Sequence, residues 1–194
     1  MITIAVIGWA QRAEERVPEA TLTAAYEVGQ HVAREGAVLV SGGMSGVMEA
    51  ASRGARDAGG LTIGILPGTE RGMANQYVDI AIPTGLGTAR NLIYTRGCDA
   101  VIMIGGGAGT LNELTIAYQG HRSVVVIEGS GGWSDRIRSV LVEGRFLDER
   151  RESEIHFAST ASEAVAQAML LAREVAAREP GPDDPRRWLG GDRF

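Results

Sequence analysis

Residues 104–113 read Ile104-Gly-Gly-Gly-Ala-Gly-Thr-Leu-Asn-Glu113. An apolar run, 100–104, precedes them and a segment of helical character follows. The first amides of a helix have no partner within it and carry partial positive charge, so they favour anions. Gly105, Gly106, Gly107 and Gly109 let a ligand approach the backbone closely, and Thr110 adds a hydroxyl. Glu113 falls within about one helical turn of the loop. A phosphate cradle with a carboxylate beside it points to chemistry on a phosphorylated sugar. A glycine turn joining strand to helix accounts for the same letters without a ligand, so the loop needs support from the rest of the chain.

Outward from this loop the chain alternates short β-rich runs with helical patterns. Strands are expected at 2–7, 37–40, 61–66, 78–82, 100–104, 123–127 and 154–158, the last at an edge. Helices are expected from Pro18 onward, then at 47–58, 88–97, 111–119 and 133–142. The final helix begins at Thr160-Ala-Ser-Glu163, which matches a capping box. Leu22, Ala25, Tyr26, Gly29, Val32 and Ala33 share one face of the first helix. Val165, Ala168, Met169, Ala172 and Val175 form the apolar stripe of the last. Nearly continuous apolar strands separated by helices imply a doubly wound, Rossmann-like α/β fold, with a mostly parallel sheet covered on both faces. Such sheets bind ligands beyond the carboxyl ends of their strands. A second glycine loop, Ser41-Gly42-Gly43-Met44-Ser45-Gly46, also follows a strand, so the two loops are expected on the same edge of the sheet. Residues 1–178 read as one domain. Residues 179–194, rich in proline and charge, read as an extended tail. Trp188, Leu189 and Phe194 either anchor it to another subunit or belong to a disordered end.

Composition removes several function classes. The chain has 194 residues, 44% of them hydrophobic, and a formal net charge of -5. That balance argues against a general nucleic-acid binder. No apolar run approaches the roughly 20 residues of a membrane span, and the N-terminus reads as a strand, not a signal peptide. The single cysteine, Cys98, fits a reducing cytoplasm and reads as a buried structural thiol. All 19 basic residues are arginines. Without lysine, neither a pyridoxal phosphate Schiff base nor a Walker A loop can form in its usual way. The first strand leads to Gly8-Trp9-Ala10, without the Gly-x-Gly-x-x-Gly of dinucleotide sites. His31, His121 and His156 lie far apart in sequence and suit surface or packing roles, so no metal is expected. There is no nucleophile elbow for a Ser-His-Asp triad. Arg90, in Thr84-Gly-Leu-Gly-Thr-Ala-Arg90-Asn91, can grip phosphate or ribose in a bidentate way. A solvated or salt-bridging arginine is the plain alternative.

Gly42-Gly43-Met44-Ser45-Gly46-Val47-Met48 and Gly106-Gly107-Ala108-Gly109-Thr110-Leu111-Asn112-Glu113 together resemble the LOG family. That family, once labelled lysine decarboxylases, includes cytokinin riboside monophosphate phosphoribohydrolases. Its signature is Pro-Gly-Gly-x-Gly-Thr-x-x-Glu with an arginine on the preceding helix, and Arg90 and Glu113 match those two positions. The similarity spans about residues 2–175. The stretches 65–68, 77–79 and 85–91 look most like a bacterial branch similar to the molybdenum cofactor carrier protein. Gly105 replaces the signature proline, Asn112 the first glutamate of a pair, Asn91 a basic residue, and Gly8-Trp9-Ala10 a Gly-Ser-Ser. These departures bear on cytokinin specificity more than on the fold.

The resemblance implies a homodimer without a cofactor, and an N-glycosidase that splits a nucleoside 5′-monophosphate into free base and ribose 5-phosphate. In that reading Arg90 and Glu113 are catalytic. Gly106, Gly107, Gly109 and Thr110 hold phosphate, and Gly42, Gly43, Met44, Gly46 and Asn91 complete the pocket. Arg90 is further expected to fix Glu113 by charge pairing. Two alternatives keep the same pocket without turnover. One is a carrier of a nucleotide or of molybdenum cofactor, and the other is a nucleotide sensor feeding a partner.

Overall fold

A computed structural model describes residues 1–11 and 16–177. The proposed tail, 179–194, lies outside the described residues. Element order is β1 (Thr3–Gly8), α1 (Glu19–Arg34), β2 (Val38–Ser41), α2 (Val47–Asp57), β3 (Thr62–Leu66) and β4 (Ile80–Pro83). Then come α3 (Asn91–Gly97), β5 (Ala100–Ile104), α4 (Ala108–Gln119), β6 (Ser123–Ile127), α5 (Gly132–Arg136), β7 (Ile155–Ala158) and α6 (Ala161–Ala177).

Among the described residues the seven strands are all parallel, in the order β4-β3-β2-β1-β5-β6-β7. The sheet is thus the doubly wound, Rossmann-like one that the alternating pattern implies. The chain steps outward from β1 to β4, returns to place β5 beside β1, and steps the other way to β7. The reversal leaves a crevice past the ends of β1 and β5, where open α/β sheets bind ligands.

The strands are apolar because both faces are covered. Ile4, Val6, Leu39, Ile102 and Ile104 pack beneath α1, α2 and α6. Ala5, Ile7, Val40, Val101 and Met103 pack with Tyr94, Leu114 and Ile137 of the opposite layer. Helices α1 and α2 meet through glycine notches. A β-carbon on Gly54 would lie 1.9 Å from the Tyr26 carbonyl oxygen, and one on Gly29 would lie 2.0 Å from that of Ala51.

Several boundaries differ from the sequence reading. The 88–97 helix is a 3-10 turn over Gly87–Arg90 followed by a seven-residue α3. The 133–142 segment is the short α5 followed by another 3-10 turn, Ile137–Val140. β4 begins at Ile80, because Asp79 is drawn into a turn where it accepts from the Thr62 amide and hydroxyl, at 3.0 and 2.9 Å. On α1 the buried face is Thr21, Ala25, Val28, Gly29 and Val32. Leu22, Tyr26 and Ala33 are half-buried, and the Tyr26 hydroxyl reaches outward to Asp57 at 2.9 Å. Thr160 caps α6 as expected, but Glu163 folds back onto the amide of Ser159. Among the described residues no helix is long and apolar enough to cross a membrane.

Candidate functional site

The loop between β5 and α4 is shaped by the segment after β6. The Gly105 carbonyl accepts from the Ser134 hydroxyl at 3.0 Å, and the Gly106 carbonyl from the Trp133 amide at 2.9 Å. In a trans peptide the following N–H points opposite to the carbonyl. Turning these two carbonyls inward therefore aims the amides of Gly106 and Gly107 away from that segment. They precede the amides of Ala108, Gly109 and Thr110, which open α4 and have no acceptor within it. Ser130 anchors the arrangement: its hydroxyl accepts from the Gly105 amide at 2.8 Å and donates to the Ile127 carbonyl at 2.6 Å. Gly106 has φ 104° and sits over the Thr110 side chain, which is buried. Around Gly109 the space is open.

Arg90 and Glu113 come from different elements and are both buried, at 9% and 8% exposure. Tyr94 stands between them. The Arg90 guanidinium carbon is 5.8 Å from the Tyr94 ring centroid, and the Tyr94 hydroxyl donates a short hydrogen bond to Glu113 Oε1. No ion pair within 4.0 Å joins Arg90 to Glu113. The expected charge pairing is thus replaced by a connection through the tyrosine. Arg90 Nη1 donates to Asn91 Oδ1 at 3.0 Å, while Nε is buried without a partner. A buried guanidinium without a carboxylate partner is costly unless an anion completes it.

Burial pushes the Glu113 carboxyl up to about 7, against the hydrogen bond from Tyr94 and the positive charge of Arg90, which both lower it. Burial, together with the adjacent Glu113 charge, holds the Tyr94 phenol well above its ordinary range, so it remains a donor. The Cys98 thiol is buried and pushed up to about 12, chiefly by burial, which suits a structural thiol and not a nucleophile.

The first glycine loop reaches the same place. A β-carbon on Gly42 would lie 2.8 Å from Arg90 Nη2, so the arginine packs directly on that backbone. Gly43 and Gly46 serve the loop itself: the space beyond their α-carbons is filled by Leu66 and by the Trp9 carbonyl. The carbonyls of Gly43 and Met44 accept from Asn75 Nδ2, which pins the loop. Asn91 is engaged at both ends of its amide, accepting from Arg90 and donating to Asn112 Oδ1 at 3.1 Å. The two asparagines that depart from the family pattern are therefore neighbours, a neutral pair bridging α3 and α4.

Sequence reasoning missed Tyr94 and Trp9. Tyr94 lies four residues after Arg90, one helical turn on, which was the signal available. The Trp9 indole lies against the β5–α4 loop and the start of α5: β-carbons on Gly105 and Gly132 would fall 2.7 and 2.6 Å from its ring. It occupies the end of the crevice between β1 and β5. A cavity of about 430 Å³ opens on the α1–α2 side of the first loop, walled in part by Tyr26, Glu49, Arg53 and Tyr77; Arg90 and Glu113 are not on its wall.

The chain is 36% identical to the cytokinin riboside 5′-monophosphate phosphoribohydrolase of Mycobacterium tuberculosis, over 62% of this chain and 68% of that protein. Among solved structures it is similar to the molybdenum cofactor binding protein of Rippkaea orientalis, with a TM-score of 0.72 and 34% identity over 91% of this chain and 98% of that one. It is similar also to the molybdenum cofactor carrier protein of Chlamydomonas reinhardtii, with a TM-score of 0.71 and 31% identity over 89% and 98%. The model of the SLOG cluster4 family matches residues 1–168. With that match covering most of its length, the chain belongs to the SLOG cluster4 family.

Proposed function

We propose that the site takes a phosphorylated nucleoside and hydrolyses its N-glycosidic bond, releasing free base and ribose 5-phosphate. The observation that carries this reading is the buried Arg90–Tyr94–Glu113 group beside the outward amides of the β5–α4 loop. The amides at the start of α4 and the Arg90 guanidinium, whose Nε has no partner, attract the 5′-phosphate. Glu113 then faces the ribose, where its carboxylate binds hydroxyls and stabilises the oxocarbenium-like transition state. A fixed carboxylate in a dry site acts strongly on developing positive charge. Water supplies a hydroxyl to the anomeric carbon and a proton to the departing base nitrogen. The relative from M. tuberculosis is named for such a reaction.

A second reading is supported by the neutral Asn91–Asn112 pair and by the length over which the two molybdenum cofactor proteins match. In it the same pocket carries a phosphorylated ligand, nucleotide or cofactor, without breaking it. A homodimer is part of the proposal in either reading. Leu92 and Ile93, on α3 beside the site, are about half exposed at 50% and 45%, which supports contact with a second copy.

Incubating the purified protein with a panel of nucleoside monophosphates, and separating products by chromatography, distinguishes the readings. Base release that falls at least a hundredfold in Glu113→Ala is the expected result. Tight binding without release by parent and variant alike establishes the carrier. Release that is undiminished in the variant removes Glu113 from the chemistry.

A further inference from the structure

Tyr94 is 2% exposed and sits on α3, one turn beyond Arg90 and facing α4. It contacts both members of the pair. Its ring face carries the Arg90 guanidinium, with 5.8 Å between guanidinium carbon and centroid. Its hydroxyl donates to Glu113 Oε1, and no other hydrogen bond to that carboxylate forms among the described residues. Oppositely charged groups attract strongly where water is excluded. A direct Arg90–Glu113 ion pair would satisfy both and leave neither for a ligand. The tyrosine offers each a substitute, a π face for the cation and a donor for the carboxylate. The substitutes leave Arg90 Nε unpaired.

We propose that Tyr94 is a positioning residue for this site: its ring holds the guanidinium and the carboxylate apart, and its hydroxyl fixes the carboxylate so that the second oxygen meets the ligand. This rests on the reading of Arg90 and Glu113 as the ligand-facing pair. The charged and titratable groups that face Glu113 are Tyr94 of α3 and Arg90 of the preceding turn. Asn91 and Asn112 nearby carry no charge.

Two variants separate the two halves of the role. Tyr94→Phe keeps the ring and removes the donor. Tyr94→Leu removes both and lets Arg90 close on Glu113. The first measurement needs no substrate: the pH titration of the Glu113 carboxyl carbon by NMR in the free protein, assigned by its loss in Glu113→Gln. The midpoint is expected near 7 in the parent, where burial pushes it up, and higher by at least half a pH unit in Tyr94→Phe. In Tyr94→Leu it is expected to fall below the parent value. The second measurement is base release from the best nucleotide of the panel. There Tyr94→Phe is expected to lower kcat at least tenfold, with KM within about threefold of the parent.

A Tyr94→Phe midpoint equal to that of the parent overturns the proposal, whatever happens to thermal stability, because a packing role alone would leave the titration unmoved. A Tyr94→Leu midpoint at or above the parent value overturns the separating role of the ring. If the parent releases no base, the hydrolase reading fails while the titrations still decide the role of Tyr94.

Discussion

A carboxyl group with a midpoint of about 7 inside a fold is one that the fold prefers protonated, and Glu113 is such a group. Its ordinary value is 4.5. Below pH 4.5 it is protonated both folded and unfolded, and its contribution to stability is fully present. As pH rises toward 7 the unfolded chain ionises first, so stability falls and levels off once the folded group has ionised. The difference between 4.5 and about 7 corresponds to about 3 kcal/mol. Glu113→Gln keeps an acceptor for Tyr94 and removes the titration. Denaturant unfolding across pH is expected to show the variant more stable than the parent by about 2–3 kcal/mol at pH 8, with the gain shrinking toward pH 4.5. A gain that does not change with pH would contradict the burial argument. The sequence placed Glu113 beside the glycine loop because both belong to one helix turn. It gave no sight of Tyr94 standing between Glu113 and Arg90. Tyr94 and Glu113 are 19 positions apart, and a buried aromatic on a short helix looks like core until its hydroxyl is seen to have a partner.

At the scale of elements, β5 and β6 begin and end where the sequence reading put them. Each is an unbroken apolar run with polar or glycine residues at its ends, and burial on both faces keeps the run apolar along its whole length, so its bounds are plain. Elements bounded by tertiary hydrogen bonds were less legible. The start of β4 depends on Asp79 and Thr62, 17 positions apart. The division of the 88–97 helix follows Gly85 and Gly87, whose positive φ angles of 68° and 56° bring in a turn before the helix can start. The approach of α1 to α2 was half legible: Gly29 was on the expected face, but its partner notch at Gly54 was not foreseen. That contact yields a test. In an isolated helix Gly→Ala gains about 1 kcal/mol, whereas forcing a methyl into a packed contact costs about 1–3 kcal/mol or more. With the new carbon 1.9 Å from the Tyr26 carbonyl oxygen, the helices must separate. Gly54→Ala is therefore expected to lower stability by about 2 kcal/mol in urea unfolding, opposite in sign to the helix-propensity effect. A stabilised variant would mean that α1 and α2 are not in close contact.

For the molecule as a whole, the order β4-β3-β2-β1-β5-β6-β7 puts the ends of β2, β1 and β5 side by side. That arrangement brings two glycine loops, distant in sequence, to one edge of the sheet, with Arg90 packed on the first and Glu113 on the helix that the second opens. The sequence reading anticipated a shared edge because both loops directly follow strands of a sheet read as parallel. Trp9 at the end of β1 was visible only as a departure from a motif. A ligand that binds only the folded chain stabilises all of it at once. At a hundred times its dissociation constant, that linkage is worth about 2.7 kcal/mol, or a rise in Tm of roughly 5–10 °C for a chain of this size. A nucleoside monophosphate is expected to give such a rise in scanning calorimetry and the matching nucleoside, lacking the phosphate, to give none. Equal shifts from both would remove the anion from the recognition.

The residues that aim the amides and those that supply charge belong to separate parts of the chain. Trp133 and Ser134 turn the loop carbonyls from beyond β6, and Ser130 holds the Gly105 amide. Arg90, Tyr94 and Glu113 come from α3, the turn before it, and α4. Evolution can therefore retune either set while leaving the other in place. On the proposed function, a lineage that lost turnover through α3 or α4 would keep the anion cradle. Divergence between breaking a ligand and delivering it intact then needs few substitutions, and none of them has to disturb the sheet.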